Sequence, residues 1–162
     1  MDIWGGASLL IDRLLARGFT DVTLVDISAA ALDEVSARLG GEQQKALIRL
    51  ERADIREWLP TRPYFIWQDR AVFHFVTNDA DVFAYISKVR EFVLPGGYAV
   101  FGTFAEDGPT TCSGLRLRQY TTEQLADTLG HETFSIVKML RHVHTTPSGG
   151  TQAFSWVVAR RK

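Results

Sequence analysis

Carboxylates stand at the ends of apolar runs in this chain. Asp26 closes Val22-Thr23-Leu24-Val25, and Asp54 follows the run that ends near Arg52. Gln68, Asp69 and Arg70 follow Tyr64-Phe65-Ile66-Trp67, with His74 close behind, and Glu106 and Asp107 follow Tyr98 to Phe104. Gly5-Gly6 stands ahead of the first helical pattern. Glycines let backbone approach a ligand at a helix N-terminus. A carboxylate at a strand end can accept two hydrogen bonds from sugar hydroxyls, and a second can accept one from an exocyclic amine. These are the donors and acceptors that a nucleotide-like ligand requires.

The elements that must hold these residues alternate between helical and extended patterns. Residues 7–17 read as a helix with a broad face of Leu9, Leu10, Ile11, Leu14 and Leu15, ended by Gly18. Residues 21–27 read as a strand. Ser28 suits an N-cap for a helix carrying Ala31, Leu32, Val35 and Leu39, which stops at Gly40. Strands follow at 46–52 and 64–67. Asn78 or Asp79 caps a helix over 80–93, which Pro95-Gly96-Gly97 stops before a buried strand at 98–104. Thr121-Thr122-Glu123-Gln124 has capping-box spacing and opens a helix that ends at Gly130. Two late strands, 134–142 and 152–159, flank the turn residues 146–150. The order predicts a single α/β domain over 1–162, a mainly parallel Rossmann-like sheet with helices on both faces and a C-terminal antiparallel hairpin. In such sheets ligands sit beyond the carboxyl ends of the strands, where the residues named above lie.

Composition narrows the function classes. A net charge of −1 argues against a general nucleic-acid or membrane-surface binder, and 46% hydrophobic with 23% charged residues is an ordinary folded composition. The single cysteine, Cys112, excludes an internal disulfide and a multi-cysteine zinc site. No apolar run approaches the roughly 20 residues of a bilayer span, and the N-terminus carries no signal-peptide pattern, so a cytoplasmic location is expected. His142 and His144 alternate on an expected strand without further ligands, so no metal site is expected. Gly-x-Ser-x-Gly and Gly-x-Gly-x-x-Gly are both absent, which disfavours an α/β-hydrolase and a nicotinamide enzyme.

Taken in order, Asp2-Ile3-Trp4-Gly5-Gly6-Ala7-Ser8, Val25-Asp26-Ile27-Ser28, Ala53-Asp54-Ile55 and Leu94-Pro95-Gly96-Gly97 resemble the motifs of class I S-adenosylmethionine-dependent methyltransferases. The segment Trp67 to Phe75, with Asp107-Gly108-Pro109 and Cys112-Ser113-Gly114-Leu115, resembles a bacterial subgroup of small methyltransferases. The resemblance implies S-adenosylmethionine as cofactor. Gly5 and Gly6 would lie against its methionine part. Asp26 would bind the ribose, with Ile27 on the adenine, and Asp54 would bind the adenine amine, with Ile55 beside it. It places Asp69 and Arg70 at the methyl-transfer end, where Asp69 or His74 is the candidate general base. The acceptor would be a small molecule or a protein side chain.

Two features depart from the pattern. Trp4 stands where the first loop glycine is expected, and the apolar strand that should lead into Asp2 is missing, which reads as an N-terminally truncated member. The missing strand predicts unpaired interior edges beside Val22 to Val25 and Tyr64 to Trp67, and therefore a homodimer or higher oligomer. It also keeps a second function open: a degenerate protein of this fold that has lost the cofactor, serving as a binding protein or as another enzyme, such as a hydrolase.

Overall fold

Ile3, the first branched apolar residue, is already in a strand. Strand β1, Asp2–Ile3, pairs in parallel with β2, Val22–Asp26, matching Asp2 with Leu24 and Ile3 with Val25. The first strand, expected to be missing, is thus present as two residues. The computed structural model describes residues 1–3, 5–6, 8–146 and 149–162. Trp4 and Ala7 of the first motif, and Pro147 and Ser148 of the segment expected to turn, lie outside them. The chain divides into two compact units, Met1–Leu59 and Pro60–Lys162.

In the first unit the strand order is β3-β2-β1, with β3, Ile48–Arg52, parallel to β2. All five residues of β2 are buried. Helix α1 spans Leu10–Ala16 and α2 spans Ala29–Arg38. Ser28 caps α2 by accepting from the Ala31 N–H, as its position predicts. Ile11, Leu32, Val35 and Leu39 close a core on Val22 and Leu24, with Leu14, Leu15, Ile48 and Leu50 around it. Arg38 ties the two helices together through both Asp12 oxygens, at 2.9–3.1 Å, and the Ser8 carbonyl. That guanidinium holds the Asp12 carboxyl below its ordinary range. A one-turn helix, α3, Glu42–Lys45, fills the connection where no element was expected.

The second unit has the strand order β4-β5-β9-β8. Strand β4, Tyr64–Arg70, is parallel to β5, Val93–Phe104. Strands β8, Phe134–Thr145, and β9, Thr151–Arg161, form the antiparallel C-terminal hairpin, and β9 runs antiparallel to β5. β4 extends three residues beyond its apolar run, because Gln68, Asp69 and Arg70 continue the ladder against Val100, Phe101 and Gly102. A short hairpin of β6, Thr111–Cys112, and β7, Leu115–Arg116, lies outside this sheet.

Helix α4, Asp79–Phe92, starts at Asn78, whose side chain accepts from the Ala80 and Asp81 N–H groups. Helix α5, Thr122–Leu129, opens with a complete capping box between Thr121 and Gln124. It ends at Gly130, whose φ of +93° favours glycine. Arg90 donates to the Leu129 and Thr128 carbonyls and so fastens α4 to the end of α5. Tyr85, Ile86 and Val89 of α4 and Leu125, Ala126 and Leu129 of α5 are buried, as are Trp67, Phe101, Val157 and Ala159 of the sheet. Among the described residues no helix is long and apolar enough to cross a membrane.

Candidate functional site

In the first unit, the candidate cofactor residues gather at the carboxyl end of β2. Asp26 is buried, and a buried carboxylate needs donors. One oxygen accepts from the Gly6 N–H at 3.0 Å and the other from the Ser28 N–H at 2.8 Å. Asp26 therefore joins the glycine loop to the start of α2, and each oxygen keeps acceptor capacity for one more donor. Gly6 sits at φ +48°. Gly5 is required by packing, since a Cβ there would come within 2.3 Å of an Asp2 carboxylate oxygen and 2.6 Å of Leu24. Ile27, next to Asp26, is half exposed.

Asp54 lies just beyond β3. Its carboxylate takes the Arg56 backbone N–H and a bidentate Arg56 guanidinium at 2.5–3.2 Å. Asp54 is half-buried and Arg56 is exposed. Ile55 follows in the same turn, half-buried. Nearby, Trp58 donates its indole N–H to Glu51 at 2.6 Å. Two strand-end carboxylates that accept hydrogen bonds, a glycine pair and an exposed isoleucine offer the chemistry an adenosine-like ligand requires. Asp26 has acceptor capacity for further hydroxyl donors, and a part-exposed ion pair such as Asp54–Arg56 contributes only about 0–1 kcal/mol.

In the second unit, Asp69, Arg70 and His74 are close in sequence and serve different surroundings. Asp69 is fully buried. Its Oδ1 accepts from the Val72 and Phe73 N–H groups at 3.2 and 3.0 Å, and the Tyr85 hydroxyl donates to Oδ2 at 2.5 Å. Burial pushes its pKa up to about 6, against the pull of the three donors. The Tyr85 hydroxyl is pushed well above its ordinary range by the same burial and by the charge of Asp69, and it also accepts from the Trp67 indole at 3.4 Å.

His74 lies in the 3-10 turn Phe73–Phe75 and is fully buried. Its Nδ1 accepts from the Phe104 N–H at 3.2 Å, which assigns the ring proton to Nε2. The Nδ1 lone pair is thus already engaged by a backbone donor, which places His74 poorly for service as a general base. Burial lowers its pKa to about 4, with the Ala71 backbone opposing.

Arg70 is the exposed member of the three. Its guanidinium carbon lies 6.0 Å from the Phe154 ring centroid. Ala71 follows at φ +61°, a left-handed conformation costly for a residue with a Cβ, and its N–H donates to the Gly102 carbonyl at 2.7 Å. The carboxylate of Asp69 and this bond hold the three residues that follow Arg70.

Cys112 is half-buried in the short hairpin. Glu106 and Asp107 follow β5, and Asp107 pairs with Arg141. His142 and His144 are on β8, and among the described residues no group of three metal-ligating side chains forms. Sequence reading missed Tyr85 and Arg56, the partners of Asp69 and Asp54. Arg56 stood two residues from its carboxylate, whereas Tyr85 is brought in from α4 by packing alone.

No protein-family model and no curated protein matches this chain. Solved structures do. One is a SAM-dependent methyltransferase from Methanosarcina mazei, with a TM-score of 0.76 and 17% identity over 99% of this chain and 90% of that one. A second is the N-methyltransferase NodS from Bradyrhizobium japonicum in complex with S-adenosyl-L-homocysteine, at 0.74 and 16%, over 99% of this chain and 76% of that one. A third is the glycopeptide N-methyltransferase MtfA complexed with S-adenosyl-L-methionine, at 0.72 and 15%, over 99% and 80%. The chain has the Rossmann-like α/β fold of the class I S-adenosylmethionine-dependent methyltransferases.

Proposed function

We propose that this protein is an S-adenosylmethionine-dependent methyltransferase acting on an acceptor that is a small molecule or a protein side chain. The observation that carries the reading is Asp26, a buried carboxylate at the end of the second strand, bonded to the glycine loop within this fold. Gly5, Gly6, Asp26, Ile27, Asp54 and Ile55 are the residues that would hold the cofactor. When bound, the cofactor supplies a methyl group on a sulfonium, and alignment of the acceptor then provides much of the rate. Asp69 acts as a positioning residue, holding the turn that follows Arg70. Arg70 is left as the residue to meet the acceptor.

One observation favours a second reading, a protein of this fold that no longer takes the cofactor. Both candidate carboxylates already receive protein donors. Calorimetry with S-adenosylhomocysteine separates the two. The enzyme reading expects binding by the unmodified protein. Asp26→Ala should weaken it by about 1.5–3 kcal/mol, the range for hydrogen bonds to a charged group. No heat with the unmodified protein overturns the methyltransferase reading, and equal affinity in Asp26→Ala removes Asp26 from the site.

A further inference from the structure

One ladder row of the second unit brings together residues far apart in the sequence. Arg70 of β4 pairs with Gly102 of β5, Gly102 with Trp156 of β9, and Trp156 with Leu140 of β8. Because Gly102 has no side chain, the indole lies over it. A Cβ at Gly102 would stand 2.7–2.8 Å from Cη2, Cε3 and Cζ2 of Trp156. Near-equal distances to Cε3 and Cζ2, on opposite sides of the six-membered ring, put the glycine over the ring face. The indole therefore lies flat on the sheet and leans toward the strand of Arg70. It is half-buried.

Phe154, itself buried, lies 6.3 Å from Trp156 between centroids and beneath the Arg70 guanidinium. Arg38, Arg49, Arg56, Arg118 and Arg141 each pair with an aspartate. Arg70 is exposed and, among the described residues, has no carboxylate partner. Exposed Leu140 borders the indole on its far side.

We propose that Arg70 and Trp156, with buried Phe154 as the floor beneath the guanidinium, form a binding site for a planar aromatic carboxylate. Its ring would stack on the indole and its carboxylate would take the two parallel N–H donors of the Arg70 guanidinium. The indole ring reaches over Gly102 of the middle strand, so it stands one strand spacing, roughly 5 Å, from the strand of Arg70. That span suits one bicyclic aromatic acid bridging both. The site stands near the carboxyl ends of β4 and β5. Calling its occupant the methyl acceptor rests on the methyltransferase reading; the binding itself does not.

The test titrates 2-naphthoate into 15N-labelled protein without cofactor and follows the Trp156 indole N–H signal, with neutral 2-naphthalenemethanol and acetate as comparisons. The expected result is a saturable shift with naphthoate, at least tenfold weaker binding of the alcohol and none of acetate. Arg70→Gln, a change at an exposed side chain, should bring naphthoate down to the level of the alcohol. Trp156→Leu, checked for an unchanged fold by circular dichroism, should lose both aromatic probes. No shift with naphthoate, or equal naphthoate affinity in Arg70→Gln, overturns the site. Naphthoate binding by a protein that gives no heat with S-adenosylhomocysteine upholds the site and sinks the methyltransferase reading. Heat without naphthoate binding does the reverse.

Discussion

Two buried titratable groups in the second unit should give opposite pH dependences that mask each other. The Asp69 carboxyl rises from its ordinary 3.8 to about 6, mainly by burial. Between those values the folded protein keeps a proton that the unfolded chain has released. Asp69 thus favours the fold fully below about pH 4, and this contribution is lost as pH rises through about 6. His74 falls from its ordinary 6.5 to about 4, again by burial. The unfolded chain takes up a proton below about pH 6.5 that the folded imidazole refuses until about pH 4. Its contribution is complete above 6.5 and lost as pH falls through 4. Each shift is worth about 3 kcal/mol at about 1.4 kcal/mol per unit, so the two largely cancel in the unmodified protein. Asp69→Asn uncovers the imbalance. The amide oxygen keeps the Val72 and Phe73 N–H groups, and the amide nitrogen donates to the Tyr85 oxygen, so the replacement fits the same pocket. Urea unfolding followed by tryptophan fluorescence, run from pH 4 to 7, gives the measurement. Relative to the unmodified protein, Asp69→Asn should gain about 3 kcal/mol as pH rises across that range, whatever its constant offset. His74→Asn, whose oxygen can replace Nδ1 opposite the Phe104 N–H, should gain a similar amount as pH falls. A pH-independent difference for Asp69→Asn would refute the assignment of a raised pKa to this carboxyl.

Three further substitutions probe the same framework by chemical denaturation. Gly102→Ala pushes a methyl into the Trp156 ring at 2.7 Å and should cost about 1–3 kcal/mol, the usual range for overpacking. Ala71→Gly relieves the left-handed conformation after Arg70 and should add up to about 1 kcal/mol to the unfolding free energy. Thr121→Ala removes the hydroxyl half of the α5 capping box and should cost about 0.5–2 kcal/mol, read as a lower urea midpoint at unchanged slope.

What the sequence disclosed and what it hid follow from the range of the forces involved. Ser28, Asn78 and the Thr121–Gln124 box act on N–H groups two or three residues away, so their helices were legible from spacing alone. The place of Asp26 at the end of its strand was legible too, because strand, carboxylate and cap are contiguous. β4 was read as ending at Trp67 because hydropathy marks burial and not backbone pairing. The ladder continues through polar Gln68, Asp69 and Arg70, since Val100, Phe101 and Gly102 supply the partners. The two strand residues Asp2 and Ile3 fell below the length that a periodic pattern needs, and only their register with Leu24 and Val25 reveals them. Asp69 and Arg70 are adjacent on an extended segment and therefore face opposite sides of the sheet. One side gives Asp69 the Tyr85 hydroxyl and burial, and the other gives Arg70 the Phe154 ring and solvent. Neither partner lies near in sequence, so the division of labour within this pair is decided by register. The same holds for the row from Arg70 to Leu140, in which a glycine, a tryptophan and a leucine from three strands become one surface only when the ladder aligns them.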